Sequence, residues 1–539
     1  MAQIMSSATT AHSQSSEPSQ PSFLGPLEIS NALLDRMQYQ ADPLADATIN
    51  NILGDWLLPN IPPEHASGDA VLGAQSQSQT QTQWQMQWQP NWQKLAMVSA
   101  IFEQWTDNQN LVEWDGRGTP ALPEIPTDIA GPLKAYVQAA NHLPPWADKA
   151  KIARAEELFM DYGALSVTLL FCSSLPECYV VPDLAAVLQT TGKLINHAEY
   201  RVRSTGAMIF PVMMHGGLTS PAGGGVAQVF KVRLIHATVR NLILRGNPEA
   251  ALAAMASTVA ANPTTPDAGV IAPLATLDGT QNMHQTLFAH GWNLPEDGVP
   301  CNQEDLGYTL LTFSYIFLRS MRKLGLGFSA SDEEAYLHAW NVMAYFLGVN
   351  ESLMPNTMAQ AEAMFKLIQE RGRRDQEKHR TKQDENEKPD PRPLLGRALM
   401  GAMKQAIPFS LIKPFPVMLT RYLCGPATSK DLGLNGWISF VSRFLFATLM
   451  LVARAIDAAV RFFVPGFSIC RLITRILGYR FICQLLMDQT RPLKVPLHVR
   501  ESVNITMAAW GNDANAPKWM NAVEDYFTAK GNWQQPPQK

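Results

Sequence analysis

The sequence predicts a mainly α-helical fold. Apolar residues recur at helical spacing over several long stretches, and residues that favour the beginnings and ends of helices bracket those stretches. No run of short alternating strands interrupts them. Hydrophobic residues occupy 46% of the 539 positions and charged residues 17%, so the chain has ample apolar surface for a large core.

Composition divides the chain into four parts. Residues 1–29 are rich in Ser, Gln, Thr and Pro, and we expect them to be disordered. Residues 30–369 form the main helical domain, in which a Gln/Ser/Thr-rich insertion at 66–93 lacks the apolar density that ordering requires. Residues 370–395 are a charged helix end and linker. We predict that 396–530 form a C-terminal helical region that packs on the core.

The middle of the main domain contains two predicted helices joined by a glycine-rich loop. Pro182 is suited to the first turn of a helix, and an apolar-periodic run follows over 184–205, interrupted at Gly192. The loop at 216–225 leads into a helix that contains His236. Because it lacks the G-x-x-x-x-G-K-[ST] pattern, we interpret it as a close-packed turn and not as a phosphate site.

Two capping patterns predict the next helices. Asn302 precedes a carboxylate at Asp305, which is the reciprocal capping arrangement, and the helix should run through Phe313 to about residue 323. Ser331 begins a similar pattern for a helix that ends near Gly348. We therefore interpret the polar side chains at 303–305 as capping and core-bonding groups and not as catalytic ones.

Several function classes find no support in the sequence. The formal net charge is −4 and there is no basic patch with interleaved aromatics, so we expect no nucleic-acid partner. The six cysteines form no C-x-x-C pair and are interpreted as reduced core thiols. Neither H-E-x-x-H nor G-x-S-x-G occurs. Without a signal-peptide pattern, we expect an intracellular protein, cytoplasmic or peripheral at the ER membrane.

One stretch, residues 437–464, has a membrane-like composition. Arg443, Arg454, Asp457 and Arg461 interrupt it, and only ten residues separate the first two arginines. A membrane span needs about 20 apolar residues. We therefore predict an amphipathic helix that packs on the core or makes peripheral contact with a membrane surface.

The most informative local pattern is a stripe on the His236 helix. Residues three and four apart are neighbours on a helix surface, so Arg233, His236 and Arg240 share one otherwise apolar face. Two arginines on such a face require anionic partners, and heme offers two propionates as well as an iron for the imidazole. The alternative is a hydrogen-bonded core histidine between arginines that extend to the surface.

Several other motifs occur in a fixed order along the chain. Together with the stripe, these motifs resemble those of the latex clearing protein (rubber oxygenase) family, which includes fungal ER-bound oxygenases of the mycophenolic acid pathway type. The motifs are ADPLADA at 41–47, PDLAAVLQTTG at 182–192, YRVRST at 200–205, Trp292, GVPCNQEDL at 298–306, TLLTFS at 309–314, Trp340, Gly348 and LMP at 353–355.

The resemblance implies a globin-like helical core that holds one heme b, with His236 as the axial ligand of the iron. Arg233 and Arg240 would bind the propionates or lie in the surrounding shell. On the distal side the family has R-x-x-K-T, which Arg201 and Thr205 match. Ser204 stands in place of the lysine, so we expect the sixth iron position to be open, filled by water or capped by another group.

We therefore predict a heme-dependent oxygenase that acts on a lipophilic substrate, isoprenoid or fatty, with O₂ as co-substrate and oxidative C=C cleavage as the reaction. The alternative is a non-catalytic heme- or lipid-binding helical protein, which the change at Ser204 makes plausible. A third hypothesis is a helical scaffold without heme. Trp292 and Trp340 are interpreted as packing residues and not as electron relays.

Overall fold

Much of the chain is described by the computed structural model. It describes residues 29–54, 92–118, 122–182, 184–185, 187, 198–246, 270–271, 283–381, 390–405, 407 and 409–463. The predicted disordered N-terminus up to residue 28, nearly all of the Gln-rich insertion and the C-terminal residues from 464 lie outside this part of the chain.

Helices dominate the described residues, which confirms the predicted mainly α fold. In chain order they are α1 Asn31–Met37, α2 Pro43–Leu53, α3 Trp92–Phe102, α4 Asn108–Glu113, α5 Thr127–Ala140, α6 Lys149–Asp161, α7 Gly163–Leu169, α8 Leu175–Cys178, α9 Ala198–Met213, α10 Gly225–Arg245, α11 Met283–Phe288, α12 Leu294–Asp297, α13 Gln303–Phe313, α14 Tyr315–Leu324, α15 Ala330–Leu347, α16 Met358–Thr381, α17 Arg392–Gln405, α18 Phe415–Cys424, α19 Pro426–Asp431 and α20 Phe440–Phe463.

Short irregular elements complete the described structure. A π-helical segment, Leu170–Ser174, joins α7 to α8, and a 3₁₀ turn, Glu351–Leu353, follows α15. Strands β1 Val270–Ile271 and β2 Trp292–Asn293 pair antiparallel, with Ile271 opposite Trp292.

Helix α10 lies at the centre of the fold. It packs against α2, α4, α9, α11 and α15, and most of its 21 residues are buried. Its interior has no proline or glycine, so the backbone hydrogen bonds continue without a break. Arg245 in the last turn interacts favourably with the negative end of the helix dipole. The helix predicted around His236 is therefore present and forms part of the core.

The next predicted helix is divided in two. Helix α13 ends at Phe313 and α14 begins at Tyr315, whereas the sequence predicted one helix to about residue 323. At the break, the hydroxyl of Ser314 donates a hydrogen bond to the carbonyl oxygen of Leu310 at 2.8 Å, and such back-bonding bends helices. The predicted end was correct, because Gly325 adopts the left-handed conformation there.

The start of α15 also differs from the prediction. Its N-cap is Ser329, whose side chain accepts a hydrogen bond from the Asp332 amide at 3.1 Å, and not Ser331. Two serines stand two positions apart, and Ser329 has the extended backbone that an N-cap requires. The helix ends as predicted, with Gly348 in the left-handed conformation.

No single helix among the described residues is both long and apolar enough to cross a membrane. One pair, Lys149–Asp161 together with Leu165–Cys178, meets the length and composition test jointly, with a bend of 88° between its members. Helix α20, in the stretch that the sequence marked as membrane-like, does not meet it.

Candidate active site

The predicted proximal and distal residues lie on neighbouring helices. His236 is on α10 and is half-buried, as are Val232 and Ile235 beside it. Ser204 and Thr205 lie on α9, which packs against α10, and both are half-buried. Over the residues whose burial is described, each helix thus has a few incompletely buried positions among buried ones. The backbone of Arg201 belongs to α9, and its side chain lies outside the described part of the structure.

Arg233 has a carboxylate partner within the chain. Its Nη2 donates a hydrogen bond to Asp42 Oδ1 at 2.8 Å, its Nε donates to the other oxygen of the same carboxylate, and its Nη1 donates to the carbonyl oxygen of Phe346 at 3.1 Å. Only 10% of the Arg233 side chain and 4% of the Asp42 side chain are exposed. Burial alone would lower the pKa of Arg233, but the hydrogen bonds and charge of Asp42 raise it above its usual value.

Arg240 is paired in the same way. Its Nε donates hydrogen bonds to both carboxylate oxygens of Asp46 at 2.9 Å, and its Nη1 donates to the carbonyl oxygen of Cys301 at 2.8 Å. One turn further along each helix, Arg245 Nη2 donates to Asn50 Oδ1 at 2.7 Å. Helices α2 and α10 are therefore joined by three successive polar contacts, which we call the α2–α10 ladder.

Residues from two other predicted motifs form hydrogen bonds at the Asp42 end of the ladder. The Nε2 of Gln303 donates hydrogen bonds to the carbonyl oxygens of Ala41 and Gly348, each at 2.9 Å, and its Oε1 accepts one from the amide of Asn350 at 2.8 Å. Gly348 has φ of +83°, and a Cβ there would lie 2.7 Å from Nε of Arg233. A side chain at position 348 would thus displace the buried ion pair.

These contacts change the interpretation of both arginines. The sequence argument for propionates assumed that Arg233 and Arg240 had no anionic partner in the chain, and Asp42 and Asp46 supply one to each. The contacts favour the second predicted role, in which the arginines belong to the shell around the site. The sequence offered a signal for this pairing, since ADPLADA contributes two carboxylates to match two arginines.

The polar residues of the NQED segment have structural partners, in agreement with the sequence interpretation. Asn302 Oδ1 accepts a hydrogen bond from the Asp305 amide at 2.9 Å, which is the predicted cap. Glu304 forms an ion pair with Arg371 at 3.0 Å. The indole of Trp292 donates to the carbonyl oxygen of Gly298 at 2.7 Å.

Two side chains anchor the glycine-rich loop that connects α9 to α10. The side-chain amide of Asn108 donates hydrogen bonds to the carbonyl oxygens of Gly217 and Ser220 at 2.9 and 2.8 Å. Glu156 Oε2 accepts one from the amide of Gly216 at 2.9 Å. Burial raises the pKa of Glu156 to about 7, although the loop amides that it binds oppose this. The loop is thus held by a carboxyl group that titrates near neutral pH.

The sequence analysis missed a second unusual ionisable group. Lys231 is buried on α10, and burial lowers its pKa to about 7, while Glu103 opposes the shift. The sequence around Lys231 gave no indication of burial. A single lysine in an apolar helix commonly extends to the surface, and only the packing of that helix shows that this one does not.

A cleft of about 510 Å³ lies at the N-terminal end of α10. Leu218, Ser220, Val226 and Phe346 are among the residues that line it, and His236 is not. Among the described residues, no group of three or more His, Cys, Asp or Glu side chains is arranged to hold a metal ion.

Comparison with known proteins shows which family part of the chain resembles. Residues 272–455 match the family model described as "ER-bound oxygenase mpaB/B'/Rubber oxygenase, catalytic domain". A rubber oxygenase from Streptomyces sp. (strain K30) is 24% identical over 276 residues, which are 50% of this chain and 53% of that protein. The chain is similar in sequence to a rubber oxygenase over about half of its length. The resemblance predicted from the motifs is therefore confirmed, and the sequence match spans about half the length of that curated relative.

A solved structure shows a similar fold. It is described as "Structure of Latex Clearing Protein LCP in the closed state", and it matches with a TM-score of 0.51 and 17% sequence identity over 85% of this chain and 94% of that chain. The matched family model begins after α10, so it includes the NQED segment and Gly348 but neither His236 nor the two arginines beside it.

Proposed function

We propose that this protein is a heme-dependent oxygenase that acts on a lipophilic, isoprenoid or fatty, substrate, with His236 as the proximal ligand of the iron. The observation that carries the proposal is the position of His236, a half-buried imidazole on the central helix with apolar neighbours at Val232 and Ile235. The similarity to a rubber oxygenase supports the reaction class. Oxidative C=C cleavage with O₂ is the reaction that we propose for it.

The residues around His236 fit a heme on the proximal side. Histidine is a common axial ligand, and the apolar stripe suits a porphyrin face. The propionates would be bound by cations other than Arg233 and Arg240, because both guanidinium groups already bind carboxylates. When bound, the heme would supply the iron at which O₂ is activated.

The described residues themselves would orient the site. The α2–α10 ladder fixes the rotation of α10 about its axis, and with it the direction of the His236 side chain. On α9, Ser204 and Thr205 offer hydroxyl groups that can donate or accept a hydrogen bond but cannot act as bases at neutral pH. With serine at position 204, no lysine side chain from that position can occupy the distal side.

Hemin titration of the purified full chain tests the heme assignment. We expect a Soret band that saturates at one hemin per chain and is lost or strongly shifted in His236→Ala. His142→Ala is a matched control, because His142, which contacts the Tyr345 hydroxyl at 2.6 Å and lines the cleft, lies outside α9 and α10. Unchanged hemin stoichiometry and spectrum in His236→Ala would refute the proximal assignment.

An activity assay distinguishes an oxygenase from a non-catalytic heme- or lipid-binding protein. The reduced, hemin-loaded protein is incubated with O₂ and either an isoprenoid or an unsaturated lipid, and carbonyl fragments are measured by mass spectrometry. An oxygenase that cleaves C=C bonds yields aldehyde or ketone fragments that are absent without O₂. Hemin binding without any product across such a panel would favour the binding protein.

A further inference from the structure

Helix α20 divides into a face that contacts the protein and a face that does not. On the first, Ser442 donates a hydrogen bond to the carbonyl oxygen of Leu411 at 3.0 Å, and the Phe446 ring lies 5.4 Å from that of Phe415. Met450 also packs against the core. These residues fall on one side of the helix, so α20 has a defined orientation on the molecule.

The opposite side of α20 is apolar and exposed to solvent. Phe440 is 75% exposed, Phe444 65% and Leu451 70%. These three residues lie within about 40° of one another around the helix axis, at 100° per residue. Just before the helix, Trp437 is 89% exposed. We call these four residues the α20 apolar face. Soluble proteins seldom expose contiguous large apolar groups, and such patches mark interaction sites.

The surroundings of this face are basic. Residues 404–463 contain seven basic and two acidic residues, in a chain whose net charge is −4. Of the two acids, Asp431 pairs with Arg373 at 3.1 Å and Asp457 is buried. Arg443 and Arg454 are exposed along the edge of α20 between its protein-facing side and the apolar face. The region around the apolar face thus presents positive charge to solvent.

We propose that the α20 apolar face docks on the surface of an anionic lipid bilayer. An amphipathic helix with aromatic and aliphatic residues on one side and arginines at the edge inserts its apolar side among acyl chains, while the arginines remain at the headgroups. At about 1.5 Å per residue, α20 is about 36 Å long. In the proposed complex the helix axis lies parallel to the membrane surface, and the opposite side of the helix remains packed on the protein.

Charge favours lipid over a second copy of the chain. Pairing two α20 apolar faces would bring two basic edges together, whereas anionic headgroups attract them. The proposal does not depend on heme or on oxygenase activity, because α20 belongs to the C-terminal region, whereas His236 lies on the central helix α10.

Vesicle flotation of the full chain tests the proposal. We expect binding to phosphatidylcholine vesicles that contain about 30 mol% phosphatidylserine, weaker binding without phosphatidylserine, and release as NaCl rises from about 0.1 to 0.5 M. The double variant Phe444→Glu/Leu451→Glu should bind at least about tenfold more weakly. Val112→Glu is the matched control, because Val112 is a 53% exposed apolar residue on α4.

Three outcomes would overturn the proposal. One is no binding to either vesicle type. Another is a lower thermal midpoint of the double variant without vesicles, which would mean that another part of the chain covers the face. The third is a wild-type dimer that the double variant abolishes in sedimentation. His236→Ala should bind vesicles like the wild type, so failure of the heme assignment and failure of membrane docking are distinguishable.

Discussion

The ion pair between Arg233 and Asp42 supports a quantitative prediction for Asp42→Asn. Asparagine caps a helix as well as aspartate does, so the hydrogen bond that Asp42 Oδ1 accepts from the Ala45 amide at 3.3 Å should persist. The carboxylate charge is lost, and Arg233, whose side chain is only 10% exposed, remains buried without a counter-charge. Removing one partner of a buried pair typically costs about 3–5 kcal/mol. We expect Asp42→Asn to lower the free energy of unfolding by that amount.

Urea unfolding followed by tryptophan fluorescence measures this loss, and a double-mutant cycle assigns it. In Asp42→Asn/Arg233→Met the uncompensated charge is absent, so the double variant should recover to within about 1–2 kcal/mol of the wild type. The control is Asp128→Asn, whose partner Lys94 lies 2.7 Å away and whose side chain is 53% exposed; it should cost about 0–1 kcal/mol. Equal losses for Asp42→Asn and Asp128→Asn, or a double variant as unstable as Asp42→Asn, would refute the reasoning.

Two further predictions concern the loop and the turn beside the site. Burial raises the pKa of Glu156 from 4.5 to about 7, so the folded chain holds this proton more tightly than the unfolded chain, and the stability from Glu156 falls as pH rises between those values. Glu156→Gln, which can still accept the Gly216 hydrogen bond, should match the wild type at about pH 4 and be more stable by about 3 kcal/mol at about pH 8 in urea unfolding; an equal gain at both pH values would contradict this. Gly348→Ala should cost about 2–4 kcal/mol by the same assay, because it adds a Cβ 2.7 Å from Arg233 at a φ of +83°. Gly401→Ala, where a Cβ has no neighbour within 4 Å in the interior of α17, should instead gain about 0.5–1 kcal/mol, and similar effects at both positions would count against the role of Gly348.

Local signals in the sequence located the helix around His236 and one of the two predicted helix caps. The helical spacing around His236 predicted α10, and the Asn302 pattern predicted both the start of α13 and the hydrogen bond of its cap. The same signals did not distinguish Ser329 from Ser331 or reveal the break at Ser314, because each depends on the backbone angles of one residue.

The partners of the two arginines could not be predicted from local spacing. Asp42 is 191 positions from Arg233 in sequence, and helical periodicity carries no information over that separation. The requirement that buried guanidinium groups have anionic partners was correct, but the sequence did not show whether a cofactor or the chain would meet it. The heme assignment of His236 stays a prediction.

The α2–α10 ladder also constrains the order in which the chain can fold during synthesis. Helix α2 leaves the ribosome before α10, and its carboxylates have no arginine partners until about 190 further residues have been made, which takes about 10 to 40 s at usual rates. During that interval α2 can pack only on elements such as α5 that precede α10 in the chain, and α10 cannot be fully buried without α2. Loss of the first 54 residues would leave Arg233, Arg240 and Arg245 all without these partners, so we expect the central helix to be the first element to fail in a protein shortened at its N-terminus.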